Sequence, residues 1–272
     1  ISGSVAANIL SNKGFQVSIF EAGRGAGGRA SSRRHDEYTF DHGAQCITEP
    51  KTKEFNQIFS DWKEKGLVGK WDGNFFEFSP SKDNNLMYSK SSKTSNRYVG
   101  IPAMNRICKY LLETEKIEKN FGQRVSVSPK KMSDSVTWDV LSEQNDLLGS
   151  FDWIVTADRM MSTKVLDGDL TNFPIDLQKQ LRSELIDPIK ENIQSVPVLV
   201  LMVVLETKLS YEDCPFDGLT LQQPEGNSVI GWIARDSSKP ERFLFCIFQF
   251  SCGQERVLGY SINFKICYRH HR

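Results

Sequence analysis

Apolar and polar positions along the chain fall into blocks with either a helical or a strand period. In residues 4–13, Val5, Ala6, Ile9 and Leu10 share one helical face, and Gly14 supplies a left-handed stop. Residues 15–20 (FQVSIF) predict a buried strand that ends in Glu21. Helical spacing returns over 52–65, where Phe55, Ile58, Phe59 and Trp62 recur on one side. Residues 71–78 (WDGNFFEF) predict strands around an Asp-Gly/Asn turn, and 79–96, rich in Ser, Lys and Asn, predict a loop. A further helix is expected over 105–115, with Ile107, Tyr110 and Leu111 aligned. Residues 124–127 and 137–140 alternate as strands, and 151–157 (FDWIVTA) predict a buried strand of parallel type. A short helix over 177–184 and a core strand over 197–206 complete the pattern.

Composition narrows the partners. The 272 residues suffice for one large domain or two smaller ones, and 39% hydrophobic with 25% charged residues is ordinary for a globular protein. Lys+Arg and Asp+Glu both count 34, so no net charge recruits nucleic acid or an anionic membrane. The longest apolar stretch, 196–205, is interrupted by Pro197 and is about half of what a spanning helix needs. The six cysteines lie far apart with no Cys-x-x-Cys, which predicts reduced thiols inside a cell. The compartment expected is the cytoplasm or an organelle such as a plastid. The chain begins at Ile1, so a targeting segment would lie outside it.

Candidate chemistry concentrates near the N-terminus. A helix, a strand and a terminal carboxylate, Glu21, 18 residues after Gly3, form the second half of a dinucleotide-binding βαβ unit. In such a unit backbone amides at the helix start face a pyrophosphate, and the acid accepts hydrogen bonds from a ribose hydroxyl. The preceding strand and two further motif glycines are expected just before Ile1. Gly23-Arg24-Gly25-Ala26-Gly27-Gly28-Arg29 follows at once: a backbone free of side chains, flanked by guanidinium groups suited to phosphate.

The run from Ile19 to Arg29 resembles the FAD signature of the amine-oxidase superfamily, and later blocks resemble its renalase-like branch. The blocks are Phe40-Asp41-His42-Gly43-Ala44-Gln45-Cys46-Ile47-Thr48, Tyr98-Val99-Gly100-Ile101-Pro102-Ala103-Met104, and Ser228-Val229-Ile230-Gly231-Trp232-Ile233-Ala234-Arg235-Asp236-Ser237-Ser238-Lys239-Pro240-Glu241-Arg242. The resemblance covers about 1–242 and implies FAD rather than NAD, because simple NAD-binding units lack the second glycine-arginine motif. It assigns Gly3, Glu21, Ala22, Gly27, Gly28 and Arg29 to the adenosine and pyrophosphate, Gly43, Ala44 and Gln45 to the loop beside the flavin, and Val125 to an adenine contact. His42 is a neighbour of that loop, more simply read as a loop histidine bonded to backbone. No catalytic acid or base is assigned.

The fold implied is α/β: a Rossmann-like FAD-binding domain, discontinuous in sequence (1–49 and 97–164), with an α+β substrate domain carrying an antiparallel sheet (50–96 and 165–242). An atypical C-terminal tail, 243–272, is expected to be an altered terminus without the family's closing FAD motif. Cys252, Cys267, His270 and His271 fit no standard zinc module. Asp158 and Arg159 depart from the small residue and proline usual in the family. The activity implied is hydride transfer from a small reduced substrate, of amine or reduced-nicotinamide type, to flavin, with oxygen or another acceptor reoxidising it. A desaturase or isomerase on the same fold, and a non-catalytic remnant, are the alternatives.

Overall fold

The computed structural model describes residues 1–80, 86–91, 95–131, 136–157, 198–205, 209–221, 230–242 and 246–253, with single positions 179, 184 and 187. The expected helix over 177–184, the pair Asp158 and Arg159, and residues 254–272 with Cys267, His270 and His271 lie outside the described residues or nearly so.

The chain opens with helix α1 (Ser2–Asn12), ended by Gly14 at φ +92°. Its buried ridge is Ala7 and Ser11, one turn apart, while Ile9 stands 44% exposed, so the inward face is rotated from the one that the apolar positions suggested. Small residues there let the helix pack closely, in a cluster with Ala26, Cys108, Leu112 and Ile117. Strand β1 (Val17–Glu21) follows, then the paired β2 (Arg33–His35) and β3 (Tyr38–Phe40), then β4 (Ile47–Thr48). Helix α2 (Lys53–Glu64) starts where Thr52 Oγ1 accepts the Phe55 amide at 3.2 Å, and buries Phe59 and Trp62 as its spacing predicts. These pack with Leu67, Val68, Ile107 and Leu111.

Next come β5 (Val68–Lys70), β6 (Phe75–Pro80), β7 (Leu86–Lys90), β8 (Arg97–Gly100), the short helix α3 (Arg106–Leu111) and β9 (Ile117–Phe121). Strand β9 pairs in parallel with β1, Val17 opposite Ile117 and Glu21 opposite Phe121. Strands β10 (Ser126–Lys131), β11 (Val136–Leu141) and β12 (Leu147–Phe151) form an antiparallel meander. Strands β13 (Val198–Leu205), β14 (Gly218–Leu221), β15 (Trp232–Arg235) and β16 (Cys246–Gly253) join β6 and β7 in a six-stranded sheet of order β13-β16-β15-β14-β6-β7. The architecture is thus mixed α/β, with a parallel β1–β9 pair flanked by α1 and a separate, larger sheet.

Four expectations change. The larger sheet is not purely antiparallel, since β6 and β14 run parallel, with Gly218 opposite Phe75. A Cβ on Gly218 would lie 2.6 Å from the Trp232 ring and 2.7 Å from that of Phe75, so the two aromatics close over its backbone. The loop expected over 79–96 contains β7, an edge strand whose Ser and Lys content hides it, as polar residues often do at sheet edges. The strand expected over 151–157 stops at Phe151, where β12 pairs with β11. Beyond it Trp153 is 84% and Val155 62% exposed, because no ladder among the described residues receives them. Finally, the stretch after Arg242 supplies β16, hydrogen-bonded between β13 and β15.

Candidate functional site

Helix α1 begins at Ile1 with no side-chain cap, and its first internal bond is Val5 N to Ile1 O at 2.9 Å. First-turn amides of a helix have no partner within it, which is what a phosphate site at a helix start uses. Gly3 sits in that turn, and a Cβ there would come within 3.1 Å of the Ala157 Cβ, so glycine lets the 152–157 segment run close beside the helix. Glu21 ends β1. Its Oε1 accepts the Gly23 amide at 2.6 Å, and its carbonyl accepts the Gln123 amide at 3.0 Å. Gly122 N in turn donates to Gly23 O at 2.9 Å. These bonds hold Gly122 and Gln123 at the end of β1, where Glu21 and the exposed Ala22 lie, with Val125 two residues beyond Gln123 in the chain.

The glycine-rich turn is anchored by Ala26, which packs into the α1 cluster. Gly27 at φ +150° and Gly28 at φ +53° need the freedom of glycine, and lead into a single 3-10 turn, Gly28–Ala30. At Gly25 and Gly28 a Cβ would meet nothing within 4 Å, so the outer face of this turn is open. Arg24 and Arg29 are exposed beside it.

The second loop is latched to the first. Ala44 N donates to Arg29 O at 2.8 Å, and Ser31 Oγ lies 3.1 Å from His42 Nε2. Gly43 passes under the Arg29 carbonyl so closely that a Cβ would be 2.1 Å from its oxygen. Gln45 does not present its amide outward. Its Nε2 bonds Asp41 O and its Oε1 accepts from Lys239 Nζ at 3.2 Å. Thus Arg29, Gly43 and Ala44 are brought together directly, Glu21 meets Gly23 and Gln123, and Gln45 is turned inward behind the second loop.

Asp41, Asp236, Lys239 and Arg242 were in the quoted motifs but were not singled out as functional residues. They form a buried ionic cluster behind the second loop. The signal available was weak: a charged run directly after the apolar strand 230–234. Burial alone would raise the Asp41 carboxyl. The charges of Lys239 and Arg242, with bonds from Ser32 Oγ and Met104 N, outweigh it and hold the group below its ordinary value. Cys46, at the far end of the loop, is pushed up by burial against the opposing charges of Arg97 and Lys239. No group of three His, Cys, Asp or Glu side chains is placed to hold a metal among the described residues.

Residues 1–62 match the model of the NAD(P)-binding Rossmann-like domain family. Among solved structures, the chain is similar to a protein from Exiguobacterium sp. 255-15 described as a protoporphyrinogen oxidase, with 9% identity, 93% of this chain and 75% of that one covered, and a TM-score of 0.64. It is also similar to putrescine oxidase bound to putrescine, with 12% identity, coverage of 93% and 74%, and a TM-score of 0.61. An oxidoreductase from Methanosarcina mazei aligns at 9% identity, coverage of 93% and 76%, and a TM-score of 0.60. At these identities the likeness is one of fold. No helix among the described residues is long and apolar enough to cross a membrane. The chain carries a Rossmann-like dinucleotide-binding unit in its first 62 residues and shares its overall fold with these oxidases and oxidoreductases.

Proposed function

We propose that the protein is an FAD-dependent oxidoreductase of the amine-oxidase superfamily, of renalase-like type, that takes a hydride from a small reduced substrate of amine or reduced-nicotinamide type. The observation that carries this reading is the latch between the two loops. Ala44 N bonds Arg29 O, and Gly43 fits beneath that carbonyl, so the glycine-rich turn and the second loop are held backbone against backbone. A simple mononucleotide unit has no need of the second segment.

The residues present fit the cofactor. The first turn of α1, which holds Gly3, and the glycine turn, open at Gly25 and Gly28 with Gly27 buried behind them, would offer amides to a pyrophosphate, with the exposed Arg29 supplying charge. Glu21 would accept a ribose hydroxyl, with Ala22 and Val125 beside the adenine, and Gly43 with Ala44 would border the flavin. When bound, the flavin supplies the two-electron acceptor, and the chain's part is to bind it, orient the substrate and keep water away. Gln45 holds the second loop from behind rather than facing outward. The division proposed is a flavin domain of 1–49 and 97–164 with a substrate domain of 50–96 and 165–242. The partner proposed is a small molecule, in keeping with zero net charge.

An absorption spectrum of the purified full-length protein tests the reading. Flavin bands that bleach anaerobically on adding a reduced nicotinamide or an amine are expected. A folded but colourless protein that takes up no added FAD would refute it. Flavin bands that no reductant bleaches would favour an isomerase on the same fold.

A further inference from the structure

Behind the second loop lies the buried ionic cluster that the functional reading does not use. Asp41 is fully buried, and its carboxylate gathers four donors. Oδ1 accepts from Ser32 Oγ at 2.6 Å and from Met104 N at 3.0 Å, while Oδ2 accepts from Arg242 Nη2 at 2.5 Å and from Lys239 Nζ at 3.3 Å. Lys239 Nζ also pairs with Asp236 and donates to Gln45 Oε1 at 3.2 Å, which completes its three donors. Asp236 Oδ2 accepts the Asp41 amide at 3.2 Å, and Gln45 Nε2 closes the circle on the Asp41 carbonyl. Two carboxylates and two cations sum to zero, the balance a buried set requires.

Asp236, Lys239 and Arg242 lie 195 to 201 positions from Asp41 in the chain, so the cluster ties Asp236–Ser238 and the two cations after it to the start of the second loop. An apolar set of equal volume would stabilise the fold about as well, so a buried ion pair is weak evidence of a role in stability. The cluster does fix geometry. Asp41 is held on four sides, Gln45 is held at both ends of its amide, and only His42, Gly43 and Ala44 lie between them.

The geometry points to Asp41 as a positioning residue: with Lys239 acting through the Gln45 amide, it sets where residues 43–45 lie against the Gly27–Arg29 turn, and through that loop it sets how flavin is held. The statement about flavin rests on the function proposed above, and the statement about the loop does not.

The test uses the full-length protein as wild type and as the double variant Asp41→Asn/Lys239→Met. The double change removes one buried charge of each sign and keeps the sum at zero, although Arg242 and Asp236 each lose an ion-pair partner. The first readout, with no ligand, is hydrogen exchange at the Ala44 amide, which reports its bond to Arg29 O. The second is FAD titration with the visible spectrum of the bound flavin. A cooperatively folded double variant should exchange Ala44 faster, hold FAD roughly 10- to 100-fold more weakly, the scale on which outer partners of ligand-holding groups act, and show a shifted flavin band. Lys239→Arg, which keeps the charge, should recover part of both effects. A folded double variant with wild-type Ala44 exchange and wild-type FAD affinity overturns the proposal. Should the double variant not fold, Gln45→Met makes the same test with all four charges in place: faster Ala44 exchange supports the proposal, and unchanged exchange overturns it. Absence of flavin from the wild type would defeat the functional reading alone, since Ala44 exchange would still decide the loop.

Discussion

Gly43 lies directly under the carbonyl oxygen of Arg29, where a Cβ would be 2.1 Å from that oxygen and 2.9 Å from the carbonyl carbon. Neither atom belongs to a flexible side chain, so a methyl group can be admitted only by parting the two loops. Gly43→Ala is expected to cost about 1–3 kcal/mol, the range for overpacking a close contact, and to weaken FAD binding. Urea denaturation and a flavin titration on the same preparation check both. Unchanged stability would mean that the loops are not pressed together in solution.

Gly25 makes the opposite case. A Cβ there meets nothing within 4 Å, so Gly25→Val should alter the stability of the cofactor-free protein by no more than about 0.5 kcal/mol. The side chain would instead occupy the open face of the turn, and FAD affinity should fall. Retained affinity, measured by fluorescence titration, would show that the pyrophosphate does not lie on this face.

Asp41 links stability to pH. Its folded value lies below its unfolded one, because Lys239, Arg242, Ser32 and Met104 outweigh the effect of burial. Its stabilisation is therefore fully present above the unfolded value of about 3.9 and is lost as pH falls through the folded value. The stability advantage of wild type over Asp41→Asn/Lys239→Met should shrink with acidification below about pH 4 and be flat above it, read from urea midpoints along a pH series. An advantage that grows on acidification would reverse the sign argued here.

Trp71 is 2% exposed, donates from Nε1 to Ser238 Oγ at 2.9 Å, and meets Phe75 edge-on at 4.8 Å between ring centres. Trp71→Phe should cost about 1–3 kcal/mol, from lost volume and a lost hydrogen bond next to the ionic cluster. Trp153→Phe, at a position 84% exposed, should change stability by less than about 0.5 kcal/mol. Chemical denaturation of the two variants side by side separates them.

Much of the local structure was legible in residue order. The spacing of Phe55, Phe59 and Trp62 with Thr52 before them marked α2, Gly14 marked the end of α1, and VSIFE marked β1. Strand β9 was not marked, because IEKNF buries only Ile117 and its other residues are polar or exposed. The glycine-rich turn and the residues 43–45 were each visible as motifs, but their contact was not. No periodicity encodes that Gly43 fits under Arg29.

By itself the sequence determined which segments turn, coil or extend, and which glycines and acids are fit for a dinucleotide. Those properties depend on side-chain period and on backbone freedom a few residues wide. Only the tertiary structure decided that β6 runs parallel to β14, that β16 enters the sheet between β13 and β15, and that Gln45 faces inward. It alone decided that Asp41 closes a buried circuit with residues about 200 positions away. The reason is physical: a charge can be buried only where its counter-charge is delivered, and delivery is the work of the whole chain rather than of any window along it.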